Sequence, residues 1–352
     1  MPASGPSLKR SNSERRHALV AALLALACGA FAVPACAQTR TPLCPQKSVR
    51  FLVGFPPGGG TDVYARLLAH ELSGYFGQQF VVENRPGAAG SIATEGLLNA
   101  RPDGCTWLVV SAAYASAVAW TTGGDPLASV APVTRIAQAP NVLVVHPSLP
   151  VHDVRAFVAF VRARPGDVAI GTAGNGTVSH LAVELLKRSA PGLQPVIVPY
   201  KGNGPAILDL VSGEISALFA TTPGLVVHLG RGRLRALAVA SARRTSLLRD
   251  VPTLVEAGIA GVEAISWSGI VAHAAIDYDR ITRLQVAVHE TLKSPQFLAR
   301  LAAQGAEPVG DTADEFRVFL RAEIERWSRL ARALGTPRRR LDMNQSPHGP
   351  NA

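Results

Sequence analysis

The chain has 352 residues, 47% of them hydrophobic and 17% charged, with a formal net charge of +10. That length passes the ~250–300 residues at which one hydrophobic core stops growing, which predicts two lobes, and the hydrophobic content excludes wholesale disorder. The basic excess is spread out, apart from Arg338, Arg339 and Arg340, and only 6% of residues are aromatic; a nucleic-acid surface needs clustered charge with interleaved aromatics, so no nucleic-acid partner is expected.

The N-terminus reads as a secretory signal over residues 1–37. Lys9, Arg10, Arg15 and Arg16 precede an apolar run over 18–33, and Ala35-Cys36-Ala37 supplies a small-residue cleavage site. An uncleaved anchor and lipidation at Cys36 are the competing readings, and Arg15-Arg16 leaves the export route open between the general and twin-arginine paths. Export would remove 4 of 35 basic and 1 of 25 acidic residues, leaving a charge of +7 and two cysteines, Cys44 and Cys105. Two cysteines in an oxidising compartment point to one disulfide, with two free thiols as the alternative. There is no Cys-x-x-Cys and no His-Glu-x-x-His, so neither a metal nor a cofactor is expected.

From residue 49 onward, short β-branched runs alternate with longer helical periods. Strands are predicted at 49–55, 79–84, 106–110, 141–145, 168–172, 196–199, 216–219 and 234–240. Their near-continuous apolar character is that of parallel strands buried on both faces. The clearest helix carries Tyr64, Leu67, Leu68, Leu72, Tyr75 and Phe76 on one stripe, with Thr61 or Asp62 as N-cap and Gly77 as its stop. The β-α-β-α order predicts an α/β protein with doubly wound sheets. Extended segments at 141–147 and 263–269 bracket about 120 residues, enough for a second lobe. The C-terminal part reads as helices over 280–292, 295–304 and 314–334, followed by a polar tail.

Three glycine-bearing loops join a strand to a helix. The first, Phe55-Pro56-Pro57-Gly58-Gly59-Gly60-Thr61-Asp62, lets backbone approach a ligand and opens on a helix start with unpaired N–H groups, which makes an anion site without a charged side chain. No Lys-Ser/Thr follows, so it is not a P-loop. The second runs Thr172-Ala173-Gly174-Asn175-Gly176-Thr177-Val178-Ser179-His180, with neutral donors and acceptors and the wrong glycine spacing for a dinucleotide fold. Each taken singly is equally well a capped turn, with His180 as a structural hydrogen-bond partner. The third places Asn84 and Arg85 ahead of Pro86-Gly87, where Arg85 either meets an anion or is solvated; Lys201 is equally ambiguous, and Ser111 and Thr221 are further candidates at strand ends. No Gly-x-Ser-x-Gly elbow or other catalytic set is present, and no enzymatic activity is expected.

In this order the motifs resemble the Bug family, periplasmic receptors of tripartite tricarboxylate transporters. The residues that carry the resemblance are Arg50 to Asp62, Val82-Glu83-Asn84-Arg85-Pro86-Gly87-Ala88, Pro102-Asp103-Gly104, Ala173-Gly174-Asn175-Gly176-Thr177 with His180, and Val198-Pro199-Tyr200-Lys201-Gly202. Asp250-Val251-Pro252-Thr253, Glu256-Ala257-Gly258, Ser266-Trp267-Ser268-Gly269 and the stretch from Glu323 to Trp327 complete the set. It implies a periplasmic-binding-protein-like fold of the second type, with lobe 1 over 45–143 and 267–335, lobe 2 over 144–266, and a disordered tail over 336–352. It also implies that the two glycine loops grip a carboxylate, a di- or tricarboxylate or related organic acid, for delivery by a monomeric receptor to the membrane subunits of a transporter. It places Cys44 and Cys105 just before neighbouring strands, where they would pair. A ligand-presenting partner of a sensor system, or from another class a secreted transferase, are the competing functions. Phe219-Ala220 stands where relatives often carry Phe-Asp, which tilts the expectation from acidic amino acids towards organic acids.

Overall fold

The computed structural model describes residues 41–46, 48–119, 121–122, 125, 127–333 and 339–340; the expected signal, and the expected tail apart from 339–340, lie outside the described residues. The first half runs β1 (Ser48–Val53), α1 (Gly60–Phe76), β2 (Gln79–Asn84), α2 (Ser91–Leu98), β3 (Thr106–Ser111), α3 (Ala112–Ala119) and β4 (Val130–Val145). The chain continues with α4 (Val154–Arg162), β5 (Ala169–Thr172), α5 (Val178–Ser189), β6 (Val196–Pro199), α6 (Asn203–Ser212), β7 (Ala217–Thr221), α7 (Val226–Gly230) and β8 (Arg235–Val239). It returns through β9 (Ile265–His273), α8 (Tyr278–Lys293), α9 (Pro295–Ala303), β10 (Glu307–Pro308) and α10 (Ala313–Ala333).

The hydrogen-bonded path of strands is β2-β1-β3-β9-β4-β7-β5-β6, with β8 and β10 also pairing β4. Two groups of strands share the long strand β4. From Val130 to Pro140 it pairs antiparallel with β9, and from Asn141 to Val145 it pairs antiparallel with β7. Pairings β1–β2, β1–β3, β5–β6 and β5–β7 are parallel, as the apolar runs predict. The strands that cross between the groups are not. Apolar burial on both faces is common to parallel and crossing strands, so composition does not distinguish their direction.

Asn141 ties the crossing together. Its N–H donates to Ala264 O at 2.8 Å, its Nδ2 donates to Ala264 O at 3.0 Å and Ser266 Oγ at 3.1 Å, and its carbonyl accepts from Ala240 N at 2.8 Å. A fully buried amide with this many partners fixes where one half ends and the other begins.

Helix α1 buries Tyr64, Ala65, Leu68, Leu72 and Phe76, and stops at Gly77 in the left-handed region (φ 61°), where a glycine carries no Cβ penalty. Leu68 and Leu72 are wholly buried, each worth roughly 1.5–3 kcal/mol of hydrophobic transfer. The start of α1 differs from expectation: Gly59 is its N-cap, without a side-chain cap, and Thr61 and Asp62 lie inside the first turn. Helix α3 is also new. Five of its eight residues are alanine and six are buried, so it lacks the polar face that periodicity needs.

Cys44 and Cys105 are disulfide-bonded with Cα atoms 4.7 Å apart, just ahead of β1 and β3, which removes the free-thiol alternative. Near the other end, Trp267 packs edge-on against Phe316 and Phe319 of α10 and donates its indole N–H to Glu323 at 3.2 Å.

Candidate functional site

The first glycine loop is held from behind. Asp62, 3% exposed, accepts from the Gly58 N–H at 3.1 Å, from Arg66 Nε at 3.0 Å and from Asn84 Nδ2 at 2.8 Å. Asn84 Nδ2 also donates to Phe55 O at 2.9 Å. Asp62 and Asn84 therefore shape the loop from outside the cavity that it borders. The reach of the Asp62 carboxylate back to a loop N–H is a variant of the capping box.

The second loop is held by its own hydroxyls. Thr177 is the N-cap of α5, accepting from the His180 N–H at 3.4 Å while its hydroxyl donates to Gly174 O at 2.7 Å. Ser179 Oγ accepts from the Ala173 N–H at 2.8 Å and lies 3.0 Å from Thr177 Oγ1. Each hydroxyl has one hydrogen. Since that of Thr177 goes to Gly174, Ser179 donates to Thr177, and neither has a hydrogen left for a ligand. Thr172 Oγ1 accepts from the Gly174 N–H at 3.4 Å, and His180 Nδ1 accepts from the Gly176 N–H at 3.3 Å. Burial lowers the pKa of His180, which favours the neutral ring that can accept there. His180 thus braces the loop backbone.

Between the loops lies a cavity of about 580 Å³, part of it continuous with solvent. Of the expected site residues, Phe55, Gly59, Gly60, Thr61, Ser111, Ala173, Thr177, Ser179 and Thr221 line it. Gly58, Asp62, Asn84, Thr172, Gly176 and His180 are not part of that lining. Asn175 and Lys201 border an adjacent cleft that shares Phe55, Ala173 and Thr177 with the first. Arg85 borders neither cavity and donates to Glu83 Oε1 at 2.7 Å. Ala220 is fully buried in the core with Ala206, Ile207 and Leu210 and does not line the cavity, so the difference at this position itself carries no argument about the ligand.

Four helices begin at this cavity. Gly60 and Thr61 open α1, Ala112 and Ala113 open α3, Val178 and Ser179 open α5, and Asn203 opens α6. The N-caps of α1 and α6 are Gly59 and Gly202, neither with a side-chain cap. The N–H groups of Gly60, Thr61, Val178 and Ser179 have no partner among the described residues. No Lys, Arg, Asp or Glu belongs to the lining. Each helix start carries about half a positive charge, so the cavity favours an anion without any cationic side chain.

Sequence reasoning missed α3, Tyr64, Asn141 and Asn203 at the cavity. Asn203 was within reach, since it follows the noted Tyr200-Lys201-Gly202 turn at a helix start; Tyr64 was read only as part of a core stripe. The two halves also touch across the cavity's mouth. A Cβ on Gly204 would lie 2.8 Å from Pro57 O, and one on Gly60 3.1 Å from Thr221 Oγ1.

Three comparisons bear on this arrangement. The profile described as tripartite tricarboxylate transporter family receptor matches residues 64–336. BugT of Bordetella pertussis is 36% identical over 328 residues, covering 92% of this chain and 98% of BugT. Among solved structures, a Rhodopseudomonas palustris protein with adipate superposes with a TM-score of 0.78 at 34% identity, over 84% of this chain and 99% of that one. MatC of Rhodopseudomonas palustris, with bound malate, gives 0.75 at 29% identity, over 81% and 99%.

Proposed function

The chain belongs to the tripartite tricarboxylate transporter receptor family, and from that premise we propose that it is a periplasmic receptor that captures a small carboxylate between two lobes and delivers it to the membrane subunits of a transporter. The observation that carries this reading is the convergence of four helix starts on one cavity with no charged side chain in its lining. Similar proteins hold adipate and malate, both carboxylates, which supports the same ligand class here.

The carboxylate is bound by backbone N–H groups of α1 and α5, helped by bridging water, and needs no salt bridge. Each helix start contributes ~0.3–1 kcal/mol when exposed and up to ~2 when partly buried, so several together replace an arginine. The hydroxyls of Thr177 and Ser179 serve by fixing the second loop. The lobes are 45–143 with 267–335, and 144–266; they close about the crossings at β4 and β9, where pairing changes partners at Asn141. A ligand touching both lobes favours the closed form by its differential contacts.

A thermal-shift screen of di- and tricarboxylates, aromatic acids, sugars and cationic amines tests the ligand class. A ligand at ~100 times its Kd stabilises by ~2.7 kcal/mol, a shift of about 4 °C for a protein of this size. Stabilisation by sugars or amines and by no acid would overturn the reading. Loss of labelled-acid uptake on deleting the gene, restored by complementation, tests delivery; unchanged uptake contradicts it.

A further inference from the structure

Two polar atoms in the walls of the cavity lack partners. Tyr64 of α1 is 3% exposed, and its hydroxyl has no hydrogen-bond partner among the described residues. Asn203, at the start of α6, donates through Nδ2 to Thr221 Oγ1 at 3.2 Å, which leaves its Oδ1 buried and unpaired among the described residues. Both residues line the cavity, Tyr64 from α1 and Asn203 from the start of α6, and they approach one point of it: a Cβ on Gly60 would lie 3.1 Å from Thr221 Oγ1, the partner of Asn203, and 3.7 Å from Tyr64 Cε2. Buried polar groups are nearly always paired, because an unmade bond costs the full desolvation of the group. Two such groups at one cavity point to a bound molecule that completes them.

The chemistry of the two atoms restricts that molecule. A carbonyl oxygen only accepts, so whatever meets Asn203 Oδ1 must donate a hydrogen, which an ionised carboxylate cannot do. Burial raises the pKa of the Tyr64 phenol well above its ordinary value, so it stays neutral and can donate or accept. An ammonium group also donates, but no Asp or Glu lines the cavity to balance it, and an unpaired buried charge is far costlier than a neutral group. A hydroxyl donates to Asn203 and accepts from Tyr64 without adding charge.

We infer that Tyr64 and Asn203 read a hydroxyl on the ligand, and that the preferred ligands are hydroxycarboxylates. This rests on the carboxylate reading and goes further, assigning selectivity within that class to two side chains that stand apart from the helix starts holding the anion.

Calorimetric titration with matched acids separates the two claims. Succinate, malate and aspartate differ at one carbon by hydrogen, hydroxyl or ammonium; adipate and 2-hydroxyadipate repeat the comparison at greater length. The expected result is that the hydroxy acid of the fitting length binds roughly tenfold tighter than its deoxy partner, with aspartate weaker than malate. In Tyr64→Phe and in Asn203→Ala that ratio falls towards one; Tyr64→Phe removes only the unpaired hydroxyl, so the fold is retained. Deoxy and hydroxy acids binding within twofold of each other, aspartate binding best, or a ratio unchanged in both variants would overturn the inference while leaving the carboxylate reading intact. Failure of these five acids and of every acid in the thermal-shift screen to bind would overturn the carboxylate reading, and this inference with it.

Discussion

Replacing Gly204 by alanine separates folding from closure. Gly204 is the second residue of α6 and is not at positive φ, so alanine fits the helical backbone there and the open protein should be no less stable. In the closed form the new Cβ lies 2.8 Å from Pro57 O, about 0.6 Å inside an ordinary contact. That oxygen is backbone, in a loop pinned through Asp62 and Asn84, and cannot rotate aside. Overpacking of this kind costs ~1–3 kcal/mol. Charged to the closed form alone, it weakens ligand binding about 5- to 150-fold, because each ~1.4 kcal/mol is a factor of ten. Calorimetry with a ligand from the screen measures the affinity, and thermal unfolding without ligand measures the fold. The expected pair is a weaker Kd with an unliganded Tm unchanged or up by about 1–3 °C. An unchanged Kd refutes closure through this contact, and a lowered unliganded Tm shows that the two loops already meet before ligand arrives.

Three further outcomes follow from named contacts. Reducing Cys44–Cys105 opens a loop spanning a sequence separation of 61, and the chain-entropy relation gives a loss of about 4 kcal/mol, read as a Tm drop of about 6 °C relative to oxidised protein. Ser179→Ala leaves the Ala173 N–H without its acceptor, so it should cost ~1–3 kcal/mol and weaken binding, whereas Arg85→Ala, which removes only an exposed ion pair with Glu83, should change the Kd by less than about threefold. Burial lowers the pKa of His180, so the unfolded chain binds more protons than the folded one below the ordinary value near 6.5; this contribution is full above that pH and is lost as pH falls, and His180→Gln should flatten the fall of Tm between about pH 7 and 5.

The α/β alternation, both glycine loops and the C-terminal helices were legible because each has a local signature: apolar runs, glycines at a strand end, a 3.6-residue stripe. The antiparallel crossing of β4 and β9 was not, since strand direction is set by where the chain returns and leaves no trace in composition. Helix α3 escaped because an alanine-rich buried segment shows no periodicity, and with it one of the four helix starts. Asp62 and Asn84 illustrate the converse. Their position in a conspicuous loop marked them as ligand contacts, but a buried carboxylate beside Arg66 is more useful as a brace, and only the three-dimensional partners reveal which role it has.

The structure of the protein with a bound acid tests the central claim most directly. One carboxylate should lie within hydrogen-bonding distance of the N–H groups of Gly60 or Thr61 and of Val178 or Ser179, directly or through one water, with no Lys or Arg against it. A carboxylate seated on Lys201 in the adjacent cleft, or on Arg85, would contradict it.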